Sequence, residues 1–444
     1  MTVARTICLG FLGTILLSTL FLTLPWSIAD ATWGDPLVAL FTATSATCVT
    51  GLGVVDTGSY FSGFGQAVLL LTIQIGGLGY MTATTFLVLL LGRRFRLQHR
   101  VAIQESLDAV GLSSVSNLVT SVIALTLIIE ITGTFLLMVQ FVPEFGWSQG
   151  LWQALFHSVS AFNNAGFSLF PDSLVRYSVS PVIVLSISLL IFLGGIGYQT
   201  IMETFLWLRK YLRSQGRLFF FSMHFKTVTS TTLFLLLVGF VGFYATEQYE
   251  TGTLALRSHS DRLWLALFQS VTARTAGFNT IDIGAMSTAG LFLMISLMFV
   301  GASPGSTGGG IKTTTLRILV NCTQTVLRGG DDVILYRRQV PKEMLMKAFA
   351  VVMGSLTTVI FAVMAISVSD PNFTFVEVLF EAVSAFATVG LSMGITAKLS
   401  TLAKLIIITL MYIGRVGVLL LMEAFLGEPQ VSEIDYPEED LLVG

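Results

Sequence analysis

Four segments of the chain carry one pattern, and this repetition limits the fold more than any other feature of the sequence. They are Leu40-Phe41-Thr42-Ala43-Thr44-Ser45, Leu155-Phe156-His157-Ser158-Val159-Ser160, Leu267-Phe268-Gln269-Ser270-Val271-Thr272 and Leu379-Phe380-Glu381-Ala382-Val383-Ser384. Each leads to a glycine, Gly51, Gly166, Gly277 or Gly390, and these lie 115, 111 and 113 residues apart. The glycine follows the phenylalanine by ten residues in three copies and by nine in the third. Self-similarity at a near-constant period marks one structural unit used four times.

Every copy has the same parts. A long apolar run comes first: residues 7–26, 119–141, 227–245 and 346–368. The amphipathic Leu-Phe stretch follows, too brief to cross a membrane, and then the glycine turn. A second apolar run comes last, as in residues 67–91 and 182–206. It carries a second glycine mark: Gly76-Gly77-Leu78-Gly79, Gly194-Gly195-Ile196-Gly197, Gly301-Ala302-Ser303-Pro304-Gly305 or Gly414-Arg415-Val416-Gly417. Runs of ~20 apolar residues match the thickness of a bilayer core. Only 11% of the 444 residues are charged and 54% are hydrophobic, against about 25% charged in a soluble domain. A soluble protein is excluded. In lipid each run must be a helix, because a helix satisfies its own backbone groups.

The expected fold is therefore all-α and integral to the membrane. Four helix–pore-loop–helix repeats surround a central cation pore, giving eight transmembrane helices plus four re-entrant half-helices. The repeats are placed at 1–96, 97–213, 214–330 and 331–427, with an acidic tail at 428–444. Lys and Arg set the orientation. The links between repeats hold Arg93, Arg94, Arg96 and Arg100, then Arg209, Lys210, Arg213 and Arg217, then Lys312, Arg317, Arg328, Arg337, Arg338, Lys342 and Lys347. The links into the half-helices hold little beyond Arg257 and Arg262. Both termini are expected in the cytoplasm and the half-helices enter from outside. The first run lacks an A-x-A-like cleavage pattern and reads as a retained span.

Irregular backbone at membrane depth survives where it is buried in protein or lines water. Four such loops around one axis would aim the negative C-terminal ends of their short helices at the centre, which favours a cation. Loop carbonyls can then replace its hydration shell, and glycine adopts positive φ without steric cost. The candidate filter residues are Thr47, Cys48, Val49, Thr50 and Gly51; Asn163, Asn164, Ala165 and Gly166; Arg274, Thr275, Ala276 and Gly277; and Ala387, Thr388, Val389 and Gly390. The competing role for the four glycines is close helix packing.

The second helix of repeat three is expected to break at Gly301, Ala302, Ser303, Pro304, Gly305, Ser306, Thr307, Gly308, Gly309 and Gly310, ahead of Lys312. Pro304 removes a donor and the glycines disfavour helix. A gate and a static kink are the two readings of the break. A phosphate-binding loop is excluded, since Ile311 separates Lys312 from Gly310 and no strand precedes it. Arg415, a charge within an apolar run, is expected to serve the pore by pairing with loop carbonyls or repelling ions. Glu130 has no nameable partner in the sequence and reads as an interhelical hydrogen bond. Cys8, Cys48 and Cys322 show no disulfide or zinc spacing, and His99, His157, His224 and His259 no metal spacing. No catalytic grouping is present, so an enzyme is not expected.

The stretches Thr47-Cys48-Val49-Thr50-Gly51-Leu52, Phe162-Asn163-Asn164-Ala165-Gly166-Phe167, Arg274-Thr275-Ala276-Gly277-Phe278-Asn279-Thr280 and Gly308-Gly309-Gly310-Ile311-Lys312-Thr313 resemble the superfamily of Trk, Ktr and HKT potassium transporters. The resemblance covers essentially the whole chain and is greatest to the membrane subunits of bacterial Ktr systems. It implies that the four glycines set potassium preference. Plant members with serine at the position of Gly51 favour sodium. It further implies an intramembrane gating loop at 301–312, a homodimer of pores, and a cytoplasmic regulatory ring that binds nucleotides. Potassium is the transported ion, sodium is either co-transported or an activator, and no organic cofactor or nucleic acid is implied. Two other classes compete. A symporter with broken helices predicts twofold symmetry and charged midplane groups. A membrane subunit of an ion-motive ATPase needs an intramembrane carboxylate, for which Glu130 is the candidate.

Overall fold

The computed structural model describes residues 3–79, 115–212 and 220–427. Arg93, Arg94, Arg96, His99, Arg100, Arg213, Arg217 and the acidic tail at 428–444 lie outside the described residues.

The first apolar run of each repeat is one long helix. These outer helices are Val3–Thr23, the first part of Val115–Phe162, Met223–Glu247 and Lys342–Ser369. At 1.5 Å per residue even the 21-residue first helix reaches ~32 Å, enough to cross a bilayer core. The short helices are Pro36–Thr47, residues 147–162, His259–Thr272 and Phe375–Phe386. Repeat two joins its outer and short helices in one run, sharply turned at Gly146, where φ is 79°. Elsewhere the short helices begin at side-chain caps, Asp35, Ser258 and Thr374, the last in a reciprocal box with Glu377.

The second helices, Gly63–Leu78, Pro181–Ile196, Thr288–Phe299 and Thr401–Val416, have 16, 16, 12 and 16 residues. Sixteen residues span only ~24 Å. The break expected in repeat three alone recurs in its neighbours. The chain turns by 104° at Gly197 into Tyr198–Leu212 and by 93° at Gly417 into Val418–Leu426. The first repeat's helix likewise ends at Gly79. The cause is local: Gly79, Gly197 and Gly417 have φ of 78°, 90° and 92°, a left-handed conformation that terminates a helix. Among the described residues the expected spans are thus four long outer helices and four second helices, three ending at a glycine of positive φ and the third repeat's at Val300.

The repeated phenylalanines Phe41, Phe156, Phe268 and Phe380 are fully buried and anchor each short helix among longer ones. Gly76, Gly194 and Gly414 let each second helix press against the end of its own short helix, since a Cβ there would overlap the carbonyl oxygen of Thr47, Phe162 or Phe386. One element departs from the all-α expectation. Ile334–Leu335 and Arg338–Gln339 form a two-stranded hairpin between repeats three and four. Its turn residues Tyr336 and Arg337 both have positive φ, 49° and 65°, as a hairpin turn of primed type requires. Val333, Leu335 and Val340 bury its inner face.

Candidate functional site

The four glycine turns share one backbone conformation. Residues two before the glycine, Val49, Asn164, Thr275 and Thr388, have φ of 57°, 57°, 65° and 51°. The glycines themselves have φ of 96°, 68°, 80° and 91°. Left-handed β-branched residues are rare, and three of the four are β-branched at the same register. Surrounding contacts hold them there. Thr50, Ala165 and Val389 each donate their N–H to the carbonyl five residues back, Ser45, Ser160 and Ser384, at 2.7 to 2.8 Å. In the copy one residue shorter, Ala276 donates to Thr272, four back, at 3.0 Å. The missing residue is absorbed in that tighter closure.

The last hydroxyl of the repeated pattern ties down each turn. Ser45 and Ser384 accept the N–H of Gly51 and Gly390 at 3.0 and 3.1 Å. Ser160, Thr272 and Ser384 donate to the carbonyls of Phe167, Phe278 and Leu391, at 2.7, 2.5 and 2.6 Å.

The turns close on one another as a ring. A Cβ at Gly51 would lie 2.5 Å from the carbonyl oxygen of Ala165, at Gly166 2.8 Å from that of Ala276, and at Gly277 2.6 Å from that of Val389. At Gly390 it would overlap the carbonyl oxygen of Thr50, which completes the circuit. Each glycine thus abuts the residue before the next repeat's glycine. A side chain at any of the four would strike main chain. On one side of the ring a mouth of about 360 Å³ is lined by all four glycines together with Asp56, Ser168 and Ser392. On the other, a cavity of about 270 Å³ is lined by Gly77, Gly194, Thr307, Lys312 and Arg415.

The interrupted segment of repeat three, residues 301–312, crosses beneath the ring and is tied to three repeats. Ser303 and Thr307 donate their N–H groups to the carbonyls of Gly195 and Gly194, at 3.1 and 3.2 Å. Gly309 donates to the hydroxyl of Thr388, a left-handed ring residue, at 3.1 Å. Gly308 sits so close to Thr275 that a Cβ would overlap its hydroxyl. Lys312 caps the following helix Thr313–Leu327 and returns its ammonium to the carbonyl of Gly308 at 2.8 Å.

The sequence profile of the TrkH family, described as a cation transport protein, matches residues 4–432. The chain belongs to that family. The Ktr system potassium uptake protein B of Bacillus subtilis is 39% identical over 100% of this chain and 97% of its own length. Its namesake in Vibrio alginolyticus is 40% identical over 99% and 94%. The potassium/sodium uptake protein NtpJ of Enterococcus hirae is 36% identical over 99% and 96%. The crystal structure of the potassium transporter TrkH from Vibrio parahaemolyticus shares the fold, with a TM-score of 0.73 at 19% identity, covering 95% of this chain and 85% of that one.

In this TrkH-family chain two arginines fasten the crossing segment, Arg274 buried and Arg415 half-buried, and the sequence pointed to carbonyl pairing for the second alone. Arg274 lends its main chain to the third turn, but its guanidinium donates to the carbonyls of Val300 and Gly301 at 2.6 and 2.7 Å. It thereby satisfies backbone freed where the helix stops. Arg415 donates to the carbonyl of Thr307 in the crossing segment and to that of Gly76 in repeat one. Of the two roles considered for it, carbonyl pairing is the geometry observed. Glu130, without a partner in the sequence, accepts from Gln74 at 3.1 Å and Asn163 at 3.0 Å, linking repeats one and two. A carboxylate in an apolar run was the available signal; its amide partners are distant in sequence. Among the described residues no group of three or more His, Cys, Asp or Glu could hold a metal. Arg274→Met should leave two buried carbonyls unpaired and destabilise the protein by about 3 kcal/mol or more. Thermal unfolding of detergent-purified protein measures it, and an unchanged midpoint refutes the pinning role.

Proposed function

We propose that this chain is the membrane subunit of a Ktr-type potassium uptake system, conducting potassium through the ring of four glycine turns. The observation that carries this reading is the closed circuit of glycine–carbonyl contacts. It leaves no side chain at the narrowest backbone and offers a cation only main-chain oxygen, which suits potassium. The reading takes Cys48 to Gly51, Asn163 to Gly166, Arg274 to Gly277 and Ala387 to Gly390 as the filter, with Thr47 closing the first short helix ahead of it. Full-length similarity to proteins named for potassium uptake supports the substrate, and the relative named for potassium and sodium supports a sodium dependence. The fourfold architecture disfavours a twofold symporter. Glu130, satisfied by two amides, disfavours an ATPase-coupled carboxylate.

In this reading the repeat boundaries are 96/97, 213/214, 330/331 and 427/428, both termini face the cytoplasm and the protein lies in the plasma membrane. Residues 301–312 act as the gate. Their hydrogen bonds reach repeats two and four directly beneath the ring, so a shift of the segment opens or closes the path. A cytoplasmic nucleotide-binding ring biases that shift, and two chains form a dimer with one pore each, because one chain already closes a ring. The acidic tail is assigned to the cytoplasmic side.

Gly51→Ser should lower the potassium-to-sodium uptake ratio by about tenfold or more. It introduces a Cβ 2.5 Å from a carbonyl oxygen at a φ of 96°, a strain of ~1–3 kcal/mol or above. Gly150 is buried within the repeat-two run and cannot serve as control. Gly63, exposed and with nothing within 4 Å of its Cβ position, can. Uptake into liposomes at varied sodium gives both the ratio and the sodium dependence; an unchanged ratio in Gly51→Ser sinks the filter assignment.

Shortening the segment 303–309 should raise flux and weaken dependence on the cytoplasmic partner. Uptake normalised to surface expression, with and without that partner, decides this; equal or lower flux with full partner dependence points to a static kink. Chemical crosslinking in native membranes should trap a two-chain species, and recovery of single chains alone removes the dimer.

A further inference from the structure

A second fourfold register lies behind the ring. The third residue of the repeated pattern is Thr42, His157, Gln269 or Glu381. Eleven residues further on stand Gly53, Ser168, Thr280 and Ser392, in the segment that leaves the glycine turn on its mouth side. In three copies the two positions touch. His157 Nε2 is 3.0 Å from the hydroxyl of Ser168. Gln269 donates to the hydroxyl of Thr280 at 3.1 Å. Ser392 donates to Glu381, and Thr396 donates to its other oxygen at 3.0 Å. In repeat one the pair is lost. Gly53 has no side chain, and the Thr42 hydroxyl is buried without a partner.

The fourth copy is the exceptional one. Glu381 is 1% exposed, and it is hydrogen-bonded by the hydroxyls of Ser392 and Thr396 and by the backbone of Met393. A buried carboxylate is tolerated where hydrogen bonds satisfy it, and bonds to an ionised acceptor are about twice as strong as neutral ones. Both donors, Ser392 and Thr396, line the mouth beside Gly390. Ser392 in turn accepts the N–H of Gly394 at 2.9 Å and stands 2.9 Å from the Thr396 hydroxyl, so the carboxylate, both hydroxyls and that stretch of backbone form one network. The carboxylate therefore fixes the segment that leaves the fourth turn at the mouth.

We propose that Glu381, through Ser392 and Thr396, is a positioning residue that sets cation preference at the fourth quarter of the ring. It belongs to one of three struts, His157–Ser168, Gln269–Thr280 and Glu381–Ser392, that back three quarters of the ring and have no counterpart in repeat one. The proposal rests on the reading of the ring as a potassium filter.

The test compares Glu381→Gln, Ser392→Ala, the double variant and Gly51→Ser as purified full chain in liposomes. Potassium KM, maximal rate and the potassium-to-sodium ratio are measured in each. Glu381→Gln cannot accept both hydroxyls, so KM should rise and the ratio fall by about tenfold, the size of one charge-assisted hydrogen bond. The maximal rate should stay within about twofold. Ser392→Ala should act in the same direction, and the double variant should be no worse than the more affected single one. An unchanged ratio and KM in Glu381→Gln overturn the strut, as does a loss confined to yield or maximal rate. Where Glu381→Gln does not reach the membrane, Ser392→Ala with unchanged KM and ratio overturns it equally. If Gly51→Ser shifts the ratio while these variants do not, the filter stands and the strut falls. If none shifts it, the filter reading itself has failed.

Discussion

The contact between each ring glycine and the carbonyl before the next repeat's glycine is the constraint on which the rest of this molecule depends. Four turns can meet at van der Waals distance only if none carries a Cβ, and the circuit from Gly51 through Gly166 and Gly277 to Gly390 leaves no space for one. Non-helical backbone in a bilayer must find its hydrogen bonds within the protein. The short helices supply them, through the carbonyls of Ser45, Ser160, Thr272 and Ser384 and through the hydroxyls of the same residues. Burial of Phe41, Phe156, Phe268 and Phe380 holds those helices in place.

A second constraint follows from the helix breaks. The breaks free backbone carbonyls, and two arginines take up several of them. A guanidinium carries five donors in a rigid fork, so one side chain can serve carbonyls from two segments. Arg274 satisfies Val300 and Gly301 where the third repeat's helix stops. Arg415 spans from Gly76 in repeat one to Thr307 in the crossing segment. The crossing segment is thus held by polar contacts to several repeats and by the burial of Ala302 and Ile311.

The four quarters of the ring are alike in backbone and unlike in support. Glu130 joins the first two repeats through Gln74 and Asn163. The third copy is one residue shorter and closes on a four-residue bond. The fourth is backed by the buried carboxylate of Glu381. A single chain with four diverged repeats can vary each quarter independently, which four identical subunits cannot do.

Most of the architecture was legible in the sequence, because a bilayer allows few solutions. Apolar runs of ~20 residues must be helices, and a pattern recurring at near-constant spacing must build the same unit each time. The ring glycines, the interruption in repeat three and the intramembrane Arg415 were visible for that reason. The breaks at Gly197 and Gly417 were not separable from ordinary packing glycines, since the sequence does not disclose the sign of φ. The hairpin at Ile334–Leu335 was hidden because its turn, Tyr336-Arg337, lacks the glycine or asparagine that usually announces one. What only the tertiary structure decided is which polar groups meet. Glu130 finds Gln74 and Asn163, Arg274 finds the end of a helix 26 residues on, and Arg415 finds a repeat more than 300 residues away. Periodicity specifies which face of a helix is apolar; the partner of a buried charge is set by how the helices cross, and that depends on the packing of the whole chain.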